Sequence, residues 1–570
     1  MAYTTARLFS TVVTQTFFRD IQVIGQENIP KDGPLLLFGN HNNQFIDPLV
    51  LLFIKESSLF QIFQEKFISL QLQNMKRPII GHLGKALGGI PVERPQDLAK
   101  RGFGTIQRID GNMVYGLRTE FKSQCKVNDI LVANEQEFQI VEIINDTQLK
   151  INNNGQIDSP IRNLQYKIQP KIDQSNMFEQ VWIELSKGAC IGIFPEGGSH
   201  DQTRLLPLKP GICIMALGAS QKFNTKVKLQ PVGLNYFKGH KFRSKVIIEF
   251  GVPYEVSQEL IDLYAKNKRE AISNLLYEIE SQLKTVTIQA PTYSDLSAVM
   301  IVRSLYLPDK ARLSAQDNLE LVKRFSSAFY KLENHPEVKE VVSQVKMYNY
   351  KLKALGVYDY QVMRMEKNTF KDIYKIAFNL FMALLSLSFA LPGYIMTIPI
   401  SLLLNTYTER ERQKALANSK VKLSGKDVIA SYKILASIMI VPAAIAIYTI
   451  LFHYALKKWN FISKEKQLKL TLIFFLLWPL YITAMIRSND GLIRHSRKVK
   501  SQILFYLYQS KYRKLKRSRE QLQDRIRKMV DMLGENVVAD FKKKRVFSFD
   551  AKKDNLDIDN VFCSLEELGI

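Results

Sequence analysis

Cysteine is scarce in this chain: Cys125, Cys190, Cys213 and Cys563 are the only four in 570 residues. None stands in a CxxC pair, so the spacing offers neither a zinc site nor a disulfide framework, and a reducing compartment fits best. Cys190 and Cys213 lie in apolar runs, which predicts core residues rather than nucleophiles. His82, His240, His335, His453 and His495 show no metal spacing, and neither a metal nor a cofactor is expected. Acidic residues are in deficit, 54 against 79 Lys and Arg, for a formal charge of +25. Such an excess attracts nucleic acid, anionic lipid or phosphorylated substrates. The opening Met-Ala-Tyr-Thr-Thr-Ala-Arg lacks the charged start and continuous apolar core of a signal peptide. Instead Leu8, Phe9, Val12, Val13, Phe17 and Phe18 recur at near-helical spacing, for a helix lying on a membrane surface or packed on the domain.

Apolar residues make up 46% of the chain, too many for a mostly disordered protein, and its length leaves room for two or more domains. Residues 34–40, Pro-Leu-Leu-Leu-Phe-Gly-Asn, predict a buried strand, and further β-type runs occupy 190–194, 227–234 and 245–250. Helical patterns at Met177–Ser186 and Gly211–Gln221 lie between them. The alternation predicts an α/β fold, a mixed or mainly parallel sheet flanked by helices. From 109 to 170 it gives way to short β-like runs with Asn and Gly turns, a small all-β insertion without evident chemistry. The principal domain is then discontinuous, 1–108 and 171–256. Residues 257–370 look helical, with Leu319, Val322, Phe325, Phe329 and Leu332 at helical spacing.

Long apolar segments follow in 371–487. Ile434–Leu456 holds 23 residues without formal charge and Leu470–Ile486 holds 17, against the ~20 needed to cross a bilayer. Ile376–Leu404 carries Pro392-Gly393 near its centre, so it reads as a kinked span or as a re-entrant hairpin turning there. The loop 405–433 and the helical tail 488–570 are rich in Lys and Arg, which places both on the cytosolic side. A hairpin plus two spans satisfies those flanks and is the preferred expectation, although the outer loop 457–469 has five lysines of its own. Such runs also make a nucleic-acid partner the weaker reading, and basic segments against an anionic leaflet explain the same charge.

Two blocks carry the chemistry. In Gly39-Asn-His-Asn-Asn-Gln-Phe-Ile-Asp-Pro48, His41 would leave strand 34–40 in a loop, and Asp47-Pro48 reads as a helix cap followed by Pro at the first helical position. A carboxylate at one ring nitrogen would fix the tautomer and leave the other facing a cleft. Taken alone, these residues favour the plainer reading of a loop histidine and an ordinary capping aspartate. Phe194-Pro-Glu-Gly-Gly-Ser-His-Asp201 follows a strand, and its glycines would let backbone N–H groups cradle an anion. Glu196 could orient a substrate hydroxyl or Arg94, while Arg204 and Lys209 are candidate phosphate contacts. Arg94, in Gly88-Gly-Ile-Pro-Val-Glu-Arg94, suits bidentate phosphate binding, or a surface ion pair with Glu93 or Asp97. Adjacent Ser199, His200 and Asp201 are no triad, because neighbouring side chains diverge.

In order, these blocks and Gln230-Pro-Val-Gly-Leu-Asn-Tyr-Phe237 resemble the four motifs of the glycerolipid acyltransferase superfamily. The nearest likeness is to the membrane-bound glycerol-3-phosphate and dihydroxyacetone-phosphate sn-1 acyltransferases of fungi and protists. The resemblance implies that fold, with His41 as general base, Asp47 as its partner, and Arg94, Glu196 and Gly197 around the phosphorylated acceptor. Arg204 and Lys209 carry over less directly, since Gly198-Ser-His200 replaces the family's Thr-Arg-Ser. Five residues separate His41 from Asp47, where the wider superfamily has four. The implied reaction is direct acyl transfer from acyl-CoA to glycerol 3-phosphate or dihydroxyacetone phosphate, at a multi-pass endoplasmic reticulum membrane with the catalytic domain in the cytosol. An sn-2 lysophospholipid acyltransferase and a catalytically silent scaffold are the competing readings.

Overall fold

The computed structural model describes residues 2–53, 68–69, 95–134, 136–152, 164–308, 313–364, 369–419, 421–459, 462–538 and 541. Arg94, His82 and Cys563 lie outside them. The chain opens one sheet with β1 (Phe18–Ile24), β2 (Leu35–Gly39) and β3 (Ile68–Ser69). It then builds a second from β4 (Lys100–Arg101), β5 (Thr105–Asp110), β6 (Met113–Leu117), β7 (Ile130–Ala133), β8 (Gln136–Asn145), β9 (Gln148–Asn152) and β10 (Tyr166–Gln169). Finally it returns to the first with β11 (Cys190–Ile193), β12 (Lys228–Tyr236), β13 (Ser244–Phe250) and β14 (Tyr254–Glu255).

The first sheet runs β1-β13-β12-β2-β11-β3, with β14 beside β12. Strands β12, β2, β11 and β3 are parallel, whereas β13 lies antiparallel to β12. The continuous apolar run of β2 follows from its central place, because helices cover both faces. Leu36 and Phe38 join a core with helices Ser175–Ser186, Gly211–Phe223 and Lys268–Val286. Leu35 and Leu37 face the other core, with Phe17, Ile46, Val50 and, from far along the chain, Ala430 and Ile434. Pro231 sits inside β12 yet breaks no antiparallel ladder. The β14 pairing ends at Leu229 and the β13 pairing begins at Val232.

The amino-terminal helix Ala2–Phe17 packs on the domain by one face, with Ser10 Oγ donating to Leu49 O at 2.5 Å. Leu8 and Val12 on its other face stay exposed. The inserted sheet, ordered β4-β10-β7-β8-β9-β6-β5, is antiparallel throughout. It begins at Lys100 rather than at 109, because β4 and β5 pair with β10 and β6 despite their polar sequences.

Three helices among the described residues are long and apolar enough to cross a membrane: Thr369–Ala417, Lys426–Trp459 and Lys464–Leu507. The expected hairpin at Pro392-Gly393 is absent, since the first of these is continuous through Pro392 and Pro399. Apolar helices tolerate such residues when neighbours repack the freed backbone. Gly393 serves close approach of a neighbour, as a side chain there would collide with Met485. The first half of this helix meets the end of the third through Asn379–His495 and Tyr394–Asn489. Its second half meets the start of the second through Tyr407 and Tyr432. Of the segment 488–570, the described residues to Val538 pack on the rest of the molecule. Residues to Leu507 continue the third membrane helix, and Gln509–Val537 docks on the helices of 293–364 through Tyr512, Leu515, Leu522 and Ile526. Arg519 seals that contact by pairing with buried Asp359.

Candidate active site

Strand β2 delivers His41 at its end, and Asn40 fixes the exit. Its side-chain amide donates to Leu234 O at 3.0 Å and its carbonyl accepts Leu234 N–H at 2.7 Å, tying β2 to β12. The loop then turns at Gln44, whose φ of 32° is one that residues with side chains seldom adopt. That turn lets five intervening residues bring Asp47 back to His41. Asp47 is not the helix cap expected from Asp47-Pro48. The cap is Phe45, and Asp47 lies in the first turn of Ile46–Leu52 with its carboxylate directed into the loop.

His41 Nδ1 and Asp47 Oδ2 are 2.8 Å apart, and both side chains are wholly buried. The same oxygen accepts the Asn43 N–H at 2.9 Å, and Oδ1 accepts the Tyr236 hydroxyl at 2.6 Å. Burial, and then the Asp47 charge, push the Tyr236 phenol well above its ordinary value, so it remains a donor. Phe194 stacks on the imidazole with centroids 4.4 Å apart. With Nδ1 held by a carboxylate, the ring is fixed in the tautomer whose Nε2 accepts a proton, the arrangement of a general base.

Glu196 crosses from the second block and organises His41 from behind. Its Oε1 accepts the His41 backbone N–H at 2.8 Å, while Oε2 pairs with His200 Nε2 at 2.5 Å and accepts Leu206 N–H at 2.7 Å. These contacts tie the second block to the loop that bears His41. Gly197 departs from expectation, because its N–H closes a turn on Phe194 O at 3.0 Å rather than facing an anion. Its φ of 72° and the Lys209 side chain lying across it both demand glycine. The side chains after it diverge, as expected of adjacent residues. Ser199 Oγ donates to Asp427 at 2.7 Å. Asp201 accepts the N–H groups of Leu423, Ser424 and Lys426 and the Ser424 hydroxyl, at 2.7 to 3.1 Å. Burial raises the Asp201 carboxyl, but these donors outweigh it and hold the group below its ordinary value. The departure from the family pattern therefore fastens the turn to the start of the second membrane helix.

A cavity of about 680 Å³ opens beside Asn40, Asn42 and Asn43. Arg204 lines it; Lys209 does not. Sequence reasoning missed Tyr236 as the third contact of Asp47, although it sits in the late Pro-Val-Gly block. It also missed His200 and the 423–427 segment, which carry no local signal.

The acyltransferase family profile matches residues 20–116, and that of the glycerol-3-phosphate acyltransferase 2 C-terminal domain matches 298–538. An uncharacterized acyltransferase of Schizosaccharomyces pombe is 31% identical over 562 residues, 95% of this chain and 83% of that protein. Glycerol-3-phosphate O-acyltransferase 1 of Saccharomyces cerevisiae is 31% identical over 92% of this chain and 70% of its own length. Glycerol-3-phosphate O-acyltransferase 2 of the same yeast is 31% identical over 80% and 65%.

Proposed function

Because the chain belongs to the glycerol-3-phosphate O-acyltransferase family, we propose that it transfers a fatty acyl group from acyl-CoA to the sn-1 hydroxyl of glycerol 3-phosphate. Dihydroxyacetone phosphate is a second acceptor of the same shape and charge. The observation that carries the chemistry is the buried His41–Asp47 pair at 2.8 Å. His41 takes the hydroxyl proton as the oxygen attacks the thioester carbon. The tetrahedral intermediate collapses to ester and CoA thiolate, and the imidazolium returns the proton to sulfur. Asp47 stabilises that imidazolium, and no acyl-enzyme forms. Arg94 and Arg204 are the phosphate contacts, and Glu196 and His200 position the base.

Exposed Leu384, Phe389, Ile450, Leu476 and Leu480 give the three long helices outward faces suited to lipid. The catalytic domain faces the cytosol at the endoplasmic reticulum. Leu423 and Ser424 bond to Asp201, and Gln509–Val537 docks on the helices of 293–364, so both basic segments lie against the catalytic domain. Their charge supports that side, and anionic lipid headgroups suit the same charge. Detergent-purified protein assayed with acyl-CoA and three acceptors tests the reading. Acylation of glycerol 3-phosphate or dihydroxyacetone phosphate is expected. Acylation of lysophosphatidate alone would replace it with the sn-2 reaction, and no product at all would leave a silent scaffold.

A further inference from the structure

The cavity beside Asn40 and Asn42 is cationic, and most of its charge comes from outside the acyltransferase motifs. Lys238 follows β12, Lys353 ends the helix Pro336–Leu355, Lys426 begins the second membrane helix, and Lys500 lies near the end of the third. Arg497 covers the ring of Tyr358, which also lines the cavity, at 5.6 Å. Among the described residues only two acids line it, and both are engaged: Asp201 by the 423–426 segment, Asp427 by Lys422 and Ser199. Among the described residues Lys353, Lys426 and Lys500 have no carboxylate partner. The crowding shows in the neighbours. Burial first, then Lys241, Arg497 and Lys353, lower the Lys238 ammonium, and His240 is pushed down to about 4 by burial and the surrounding lysines. Arg204 lines the same cavity.

Cations gathered this closely without acids repel one another, and a polyanion would relieve them. A three-carbon phosphate would fill a small part of about 680 Å³, a volume within the range that holds much larger ligands. We propose that this cavity binds the phosphorylated nucleotide end of the acyl donor, an adenosine 3′,5′-bisphosphate moiety, with Lys238, Lys353, Lys426 and Lys500 on its phosphates. The site rests on the acyl-CoA reading above. It explains why residues of the C-terminal helices reach the catalytic domain.

The test uses full-length protein in detergent, the Lys353→Ala/Lys500→Ala double variant and the corresponding double arginine variant. Equilibrium dialysis with labelled adenosine 3′,5′-bisphosphate reads binding without turnover. Removing two phosphate contacts should weaken the probe on the order of 100-fold, roughly tenfold each, with arginine restoring most of it. The KM for acyl-CoA should rise in step while that for glycerol 3-phosphate stays put. Unchanged probe binding, or a KM rise confined to glycerol 3-phosphate, overturns the assignment. Probe binding that is lost in the variant of a protein showing no acyl transfer would sink the functional reading and keep the nucleotide site. Turnover with no effect of the variant does the reverse. Lys353→Ala alone serves if the double variant fails to fold.

Discussion

Two sheets of seven strands each lie in the same chain, and they bury polar groups to opposite ends. In the first, Asn40, His41, Asp47 and Glu196 are buried beyond the ends of β2 and β11, and His41 bonds both to Asp47 and, across 155 residues of sequence, to Glu196. In the second, buried Asp129 accepts the N–H groups of Lys126 and Lys171, and Thr119 donates to Asp146 O. Those groups complete turns and stop there. Burial of a charge thus says little by itself. Convergence of several such groups at the ends of parallel strands, where ligands enter α/β sheets, marks the chemistry.

The contrast breaks most readily at His41. Replacing it by alanine should cost roughly 10³ in kcat, inside the ~10²–10⁴ span of a positioned base, while the protein stays in membranes. A kcat within tenfold of the parent would end the assignment. Asp47→Asn keeps the shape and loses the carboxylate that fixes the tautomer, so kcat should fall by about 10² with KM for the acceptor unchanged. Tyr236→Phe removes one of the donors to Asp47, and the loss of one hydrogen bond of ~1 kcal/mol corresponds to about fivefold in kcat. The second sheet should behave otherwise. Leu131→Ala in its core should cost about 2–5 kcal/mol of stability by denaturant titration, yet leave kcat per folded molecule intact. A fall matching that of Asp47→Asn would show the insertion to be part of the active site. The smallest effect is expected from thiol alkylation at mildly alkaline pH. Burial pushes Cys213 up to about 12 and raises Cys190 further, so mass spectrometry should find neither labelled and activity unchanged.

Much of the first sheet was legible because its strands are apolar on both faces. The runs 34–40, 190–194, 227–234 and 245–250 differ from β2, β11, β12 and β13 by two residues or fewer at each end. β4 and β5 were not legible, since Lys100-Arg101 and Thr105–Asp110 are too polar to announce strands, and pairing with β10 and β6 decides their state. His41 and Asp47 stood out through proximity in sequence, but Tyr236 is 189 residues from Asp47. Glu196 was singled out by its block, but its contacts with His41 and His200 were not. An acidic residue in a glycine-rich turn suggests a ligand, and nothing local reveals that a backbone N–H and a second histidine take its oxygens. Pro392-Gly393 misled for a physical reason: in water that pair ends helices, whereas an apolar helix packed against Met485 continues through it.

The segment that grips Asp201 has a consequence for how the molecule is made. Ser431 Oγ accepts the Phe45 N–H at 3.0 Å across 386 residues, and Ala430 and Ile434 complete the hydrophobic core under β2. The loop that bears the base is therefore finished by residues synthesised long after it. A nascent chain that has produced both catalytic blocks still lacks the floor beneath them until the first long apolar helix and the start of the second have been made. Release of the amino-terminal half alone would yield an exposed apolar face instead of a smaller enzyme.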